Sequence, residues 1–166
     1  MVTDPAIRGG MIRARQRRAT FTRWPGSIDK RERAIQVFGE FLRGFVQDLN
    51  HRSEEGWSIL VEGKRDEMAI KGLGYGGLVV TVSAYSRRRG RAFGECSGVI
   101  VLTDLDREGA TLASRFVKAL SHDGLSTSLA ERKRLKAASR GVFLHIENLS
   151  RFAETEGYRR GETESL

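Results

Sequence analysis

The run Val99-Ile100-Val101-Leu102 breaks off abruptly into Thr103-Asp104-Leu105-Asp106-Arg107-Glu108-Gly109. Four apolar residues in succession, three of them β-branched, read as a strand buried on both faces, as in a parallel sheet covered by helices. Asp104 and Asp106 then stand where the carboxyl end of that strand opens into a loop. That edge is where open α/β sheets bind their ligands. A helical pattern, Ala110 to Leu120, follows. Asp104, Asp106 and Glu108 repel one another unless a cation or an arginine neutralises them, and carboxylate clusters suit Mg²⁺ or Mn²⁺. The plainer reading is a solvated loop in which Asp106 caps the next helix.

A second stretch repeats the design upstream. Ile59-Leu60-Val61 runs into Glu62-Gly63-Lys64-Arg65-Asp66-Glu67, again apolar residues ending in an acid and a glycine before a helical pattern. Two neighbouring parallel strands would bring Glu62 and the Asp pair to one sheet edge. Val61-Glu62-Gly63-Lys64 followed by Thr103-Asp104-Leu105-Asp106-Arg107-Glu108-Gly109 resembles the Toprim domain shared by topoisomerases, bacterial primases, small nucleases and recombination proteins. The second motif is most similar to the type IA topoisomerase version, the first to that of ribosomal-RNA-maturation nucleases. The resemblance covers about residues 57–149. It implies a Rossmann-like α/β fold with a mostly parallel sheet of about four strands. It also implies metal ligation by Asp104, Asp106 and Glu108, and an acid/base role for Glu62.

Charge speaks to partners. Lys and Arg total 29 against 21 acids, a net charge of +8, which favours polyanions such as nucleic acid. Nine basic residues but only three acids fall in the first 33 positions. Residues 1–26 read as a flexible basic arm, with Arg13, Arg15, Arg17 and Arg18 available to phosphates and Phe21 and Trp24 to bases. A solvated tail is the alternative. Cys96 is the one cysteine, so neither an internal disulfide nor a cysteine zinc site can form. No apolar run approaches the roughly 20 residues of a membrane span, and a secretory signal is not expected. A cytoplasmic protein is the expectation.

The spacing of Ile35, Phe38, Phe41, Leu42, Phe45, Val46 and Leu49 predicts a long amphipathic helix over residues 28–52. Strands are expected at Trp57–Val61, Leu78–Val82, Val99–Leu102 and Gly141–Ile146, and helices at Asp66–Leu73 and Leu129–Ala138. The glycine cluster around Gly74 follows a helix rather than a strand, and so reads as a connector rather than a dinucleotide loop. Tyr85 to Cys96 reads as a polar loop whose Arg87, Arg88, Arg89 and Arg91 lie beside the acids, either solvated or in contact with nucleic acid. Arg65, Arg107, Arg132 and Lys133 are further candidate contacts. His145 is a weak candidate near the end of the last strand. The expected division is arm 1–26, helix 27–56, Toprim-like domain 57–149 and polar tail 150–166.

Phosphoryl transfer requires neutralised phosphate oxygens, a deprotonated attacker and a stabilised leaving oxygen. Asp104, Asp106 and Glu108 would hold Mg²⁺ or Mn²⁺, Glu62 would exchange the proton, and Lys64 and Arg107 would clamp a phosphate. A topoisomerase needs an attacking tyrosine on a separate large domain, and this chain has only Tyr75, Tyr85 and Tyr158. A primase would add a zinc module, and the recombination relatives a four-cysteine site. The expectation that remains is a small stand-alone protein of this kind, similar to archaeal ones and to the maturation nucleases. It would cleave RNA, favoured over DNA, on or near the ribosome or an rRNA-processing complex. The alternative is a non-catalytic nucleic-acid- or ribosome-binding module.

Overall fold

The computed structural model describes residues 27–141 and 143–153. Its centre is a sheet of four parallel strands, β1 (Trp57–Val61), β2 (Val79–Thr81), β3 (Gly98–Val101) and β4 (Thr127–Ser128), in the order β2-β1-β3-β4. Six helices flank it among the described residues: α1 (Ser27–Glu54), α2 (Lys64–Gly72), α3 (Val82–Arg88), α4 (Arg107–His122), α5 (Ala130–Ser139) and α6 (Ser150–Ala153). The expected α/β class and four-strand parallel sheet are what the chain forms.

Period-two alternation divides the strand residues between two cores. Ile59, Val61, Ile100 and Leu102 face α1, α2, α5 and the segment around Ile146 to Phe152. Leu60, Val80, Val99 and Val101 face α3 and α4. Both faces of β1 and β3 are therefore covered, which is why these strands read as unbroken apolar runs.

α1 belongs to this domain rather than lying outside it. Phe38, Leu42, Phe45, Val46 and Leu49, at three- and four-residue intervals, are all buried in the first core. Ile35, one turn earlier, is exposed, contrary to its expected inward role. The expected boundary at residue 150 also moves: Phe152 is buried and stacks edge-on against Phe38 and Phe143. The arm 1–26 and the tail from residue 154 lie outside the described residues.

Two expected elements take other forms. Tyr85 to Cys96 is not a loop. Thr81 caps α3 by accepting from the Ala84 N–H at 3.3 Å, and a 3-10 turn, Arg89–Phe93, continues it. Tyr85 and Phe93 anchor that unit in the second core. Gly141 to Ile146 is not the last strand, a place taken by Thr127–Ser128. Arg140 and Gly141 both adopt positive φ, ending α5 in a sharp turn. Phe143 then packs against aromatic rings, and Ile146–Leu149 is a 3-10 turn.

No described helix is long and apolar enough to cross a membrane. Inside α1, a Cβ added at Gly39 or Gly44 would meet nothing within 4 Å. Gly44→Ala should stabilise the protein by about 0.5–1 kcal/mol through the helix backbone alone. Thermal unfolding should show a midpoint higher by about 2–4 °C per kcal/mol gained; an unchanged or lower midpoint would contradict the helix at that position.

Candidate functional site: an acidic cleft at the carboxyl edge of the sheet

From β1 the chain steps outward to β2, then crosses to the other side of β1 to lay down β3. In doubly wound sheets such a reversal opens a crevice at the carboxyl ends of the two diverging strands. The register pairs Leu60 with Val101. Two steps further along, Glu62 faces Thr103, at the mouth of the crevice. The Glu62 carboxylate accepts the backbone N–H of Asp104 at 3.0 Å. The two sequence motifs therefore meet as the parallel-strand argument expects.

Each acid is held by a local bond. Asp66 accepts the Gly63 N–H at 2.9 Å and closes the first turn of α2. Asp104 accepts the Ile146 N–H on Oδ1 and the His145 Nδ1–H on Oδ2, both at 2.8 Å. Asp106 caps α4 through the Gly109 N–H at 2.7 Å, so the plainer reading of that residue holds. A Cβ on Gly109 would run into the Asp104 carbonyl; glycine there lets the first turn of α4 lie against the acidic loop. Glu108 is exposed on that turn and does not line the cleft.

Beneath the loop lies Arg132, only 7% exposed. Its Nε donates to both the carbonyl and the hydroxyl of Thr103, and its second terminal nitrogen donates to the carbonyls of Asp104 and Asp106. Thr103, itself fully buried, donates its hydroxyl hydrogen bond to the Gly109 carbonyl at 2.7 Å. Arg132 is thus not the surface contact for nucleic acid that the sequence suggests, but the internal cation of the acidic loop. Burial works against its charge, and Asp106, Glu62 and Asp104 offset that. Lys133 is exposed on the same helix.

Glu62, Lys64, Arg65, Asp66, Asp104, His145 and Glu147 line an open cleft of about 450 Å³. Lys64 is 73% exposed at its rim and pairs with Glu67 at 2.8 Å; Arg65 pairs with Glu147 at 3.6 Å. Burial pushes the Glu62 carboxyl above its ordinary range against the pull of the Asp104 N–H, and Asp104, Asp66 and Asp106 add to the rise. Asp66 is raised for the same leading reason. The hydrogen bond to Asp104 raises the His145 imidazole. Among the described residues, no three His, Cys, Asp or Glu side chains are grouped so as to hold a metal by themselves.

The expected arginine group lies elsewhere. α3 starts at the carboxyl end of β2 and runs back, so Arg87, Arg88, Arg89 and Arg91 reach the amino edge, where Gly98 begins β3. The Arg89 guanidinium bonds Asp123, at the far end of α4. These arginines do not lie beside the acids. Asp66 was missed by sequence reading; its signal is the three-residue spacing from Gly63, which closes a helix start. Arg13, Arg15, Arg17 and Arg18 lie outside the described residues.

The fold and site define a small doubly wound α/β protein with a carboxylate crevice between β1 and β3. No family model matches the chain. It is 32% identical over 115 residues to a UPF0292 protein of Methanosarcina barkeri, spanning 66% of this chain and 78% of that protein. A UPF0292 protein of Pyrococcus horikoshii is 32% identical over 114 residues, spanning 68% and 86%. The chain belongs to the UPF0292 family. A solved structure of a protein from Aquifex aeolicus superposes with a TM-score of 0.54 at 29% identity, covering 63% of this chain and 94% of that one.

Because Glu62 stays protonated in the folded protein above the pH at which it ionises unfolded, stability falls as pH rises through that window from 4.5 upward. Glu62→Gln keeps an acceptor for the Asp104 N–H and removes the deficit. The urea midpoint of the variant should exceed wild type at pH 7 and match it at pH 4; a lower midpoint at pH 7 would contradict the assignment.

Proposed function

We propose that this protein is a small Toprim-like enzyme that performs Mg²⁺-dependent phosphodiester chemistry on nucleic acid, with RNA as the favoured substrate. The observation that carries this reading is the Glu62 carboxylate accepting the Asp104 backbone N–H at 3.0 Å in the β1/β3 crevice. Support comes from Asp66 and Asp106 close enough to raise Glu62 electrostatically, and from a net charge of +8 on a chain whose cleft is acidic. Four acids facing a polyanion make little sense for binding alone.

The cleft's donors are hard carboxylate oxygens, which fit Mg²⁺ or Mn²⁺. Magnesium commonly takes one or two carboxylates and completes its shell with water and substrate phosphates, so a cage of three side chains is not required. Asp104 and Asp106 would hold the ion, Glu62 standing next to them, with Glu108, exposed on the first turn of α4, a third ligand directly or through water. A bound ion would supply charge neutralisation on the phosphate and a more acidic water. Glu62, its carboxyl raised by burial, takes the proton of the attacking water as the new P–O bond forms. The bond to the departing sugar oxygen breaks, and that oxygen is reprotonated from solvent. Lys64, Arg65 and Arg107, all exposed near the acids, meet the substrate phosphates, with Lys133 a further contact. A cytoplasmic setting and a substrate on or near ribosomal RNA complete the reading.

A second reading has its own observation. Both oxygens of Asp104 are already engaged, by His145 and the Ile146 N–H, as a non-catalytic nucleic-acid- or ribosome-binding module would allow. Cleavage of the co-purified RNA in Mg²⁺ separates the two. Glu62→Gln should lower the rate by roughly 10²- to 10⁴-fold with RNA affinity near wild type, and Asp104→Asn should act in the same direction. Activity persisting in both variants, or none in wild type with tight binding intact, would overturn the enzyme reading.

A further inference from the structure

The unit from α3 to β3 carries four arginines against one carboxylate, Glu95. Only one of the four is used internally. Arg89 bonds Asp123 at 3.0 Å and lies 5.0 Å over the Tyr85 ring. The Tyr85 hydroxyl donates to the same carboxylate at 2.7 Å, and burial with that bond pushes its pKa up to about 12. This knot holds Arg89 at a φ of +52°, a conformation that costs a non-glycine residue energy and survives only where its surroundings enforce it. The turn is therefore a fixed platform. Arg87, Arg88 and Arg91 project from it, exposed and without an ion-pair partner among the described residues.

We propose that Arg87, Arg88 and Arg91 form a second nucleic-acid-binding surface, which grips the phosphodiester backbone at the sheet edge opposite the acidic cleft. Three unpaired guanidiniums on a rigid turn offer phosphates planar donor forks and a concentrated positive field. Their distance from the acids, across the length of the strands, leaves them no part in the chemistry. A strand engaged at both edges must cross the domain, which favours a long or folded nucleic acid over a short oligonucleotide. The inference rests on the nucleic-acid part of the reading above and not on cleavage.

The test uses the full chain and a 5′-labelled single-stranded RNA of about 30 nucleotides, with a DNA duplex of equal length in parallel, titrated across a series of salt concentrations. Arg87→Ala/Arg88→Ala/Arg91→Ala should weaken binding at least about tenfold at low salt and reduce the log–log salt slope by roughly 2. Lysines at the three positions should restore most of the slope. The same loss should appear in an Asp104→Asn background, since the two sites are independent. An unchanged slope, a loss that disappears with Asp104→Asn, or binding of wild type to anionic vesicles but to neither nucleic acid would overturn the proposal. Wild type that binds RNA in this Arg-dependent way yet never cleaves it would leave the surface standing and remove the enzyme reading alone.

Discussion

The buried guanidinium of Arg132 is the interaction on which the candidate site depends. A charge taken out of water is tolerated only when its donors are satisfied and opposite charge stands close by. Here the donors go to Thr103, Asp104 and Asp106, all in the loop that leaves β3, and the opposite charge is the carboxylate group above. Arginine suits this position because its planar fork reaches several carbonyls at once and it does not deprotonate. One side chain from α5 thereby fixes the backbone that aims Asp104 and Asp106, and offsets the repulsion of placing them beside Glu62.

The remaining pieces converge on that loop from every layer of the fold. β1 delivers Glu62, α2 delivers Asp66, and the turn before α6 delivers His145 and the Ile146 N–H. Gly109 lets α4 begin against the Asp104 carbonyl. The chain following α5 is fastened in turn by Phe143 and Phe152 against Phe38 of α1, so the long first helix helps to position a site that it does not touch. Acids with raised pKa values in a partly covered cleft are a cost to stability carried by the rest of the core, a common property of functional sites.

What was legible in the sequence follows from short-range physics. Buried parallel strands announce themselves as apolar runs, and a strand that stops at an acid and a glycine marks the ligand edge, so Glu62, Asp104 and strands β1 to β3 could be read directly. The α1 stripe was legible from its spacing. Arg132 was not, because a basic residue in a basic helix looks the same whether it points to solvent or into the core. The Arg87–Arg91 turn was misplaced because its edge of the sheet depends on α3, whose one buried aromatic, Tyr85, is too little to set a helical period. Gly141 to Ile146 resembles a strand in composition. Its residues instead serve aromatic packing and the Asp104 carboxylate, contacts far away in sequence.

The central proposal is a divalent-cation site at Asp104 and Asp106, with Glu62 beside it, completed by nucleic-acid phosphates. It is tested most directly by paramagnetic broadening of amide signals on adding substoichiometric Mn²⁺, with and without a short RNA. The account predicts selective loss of the signals of Gly63, Asp104 to Gly109 and Ile146, stronger when RNA is present and abolished by Asp104→Asn. Broadening confined to another part of the molecule, or identical in Asp104→Asn, would contradict it.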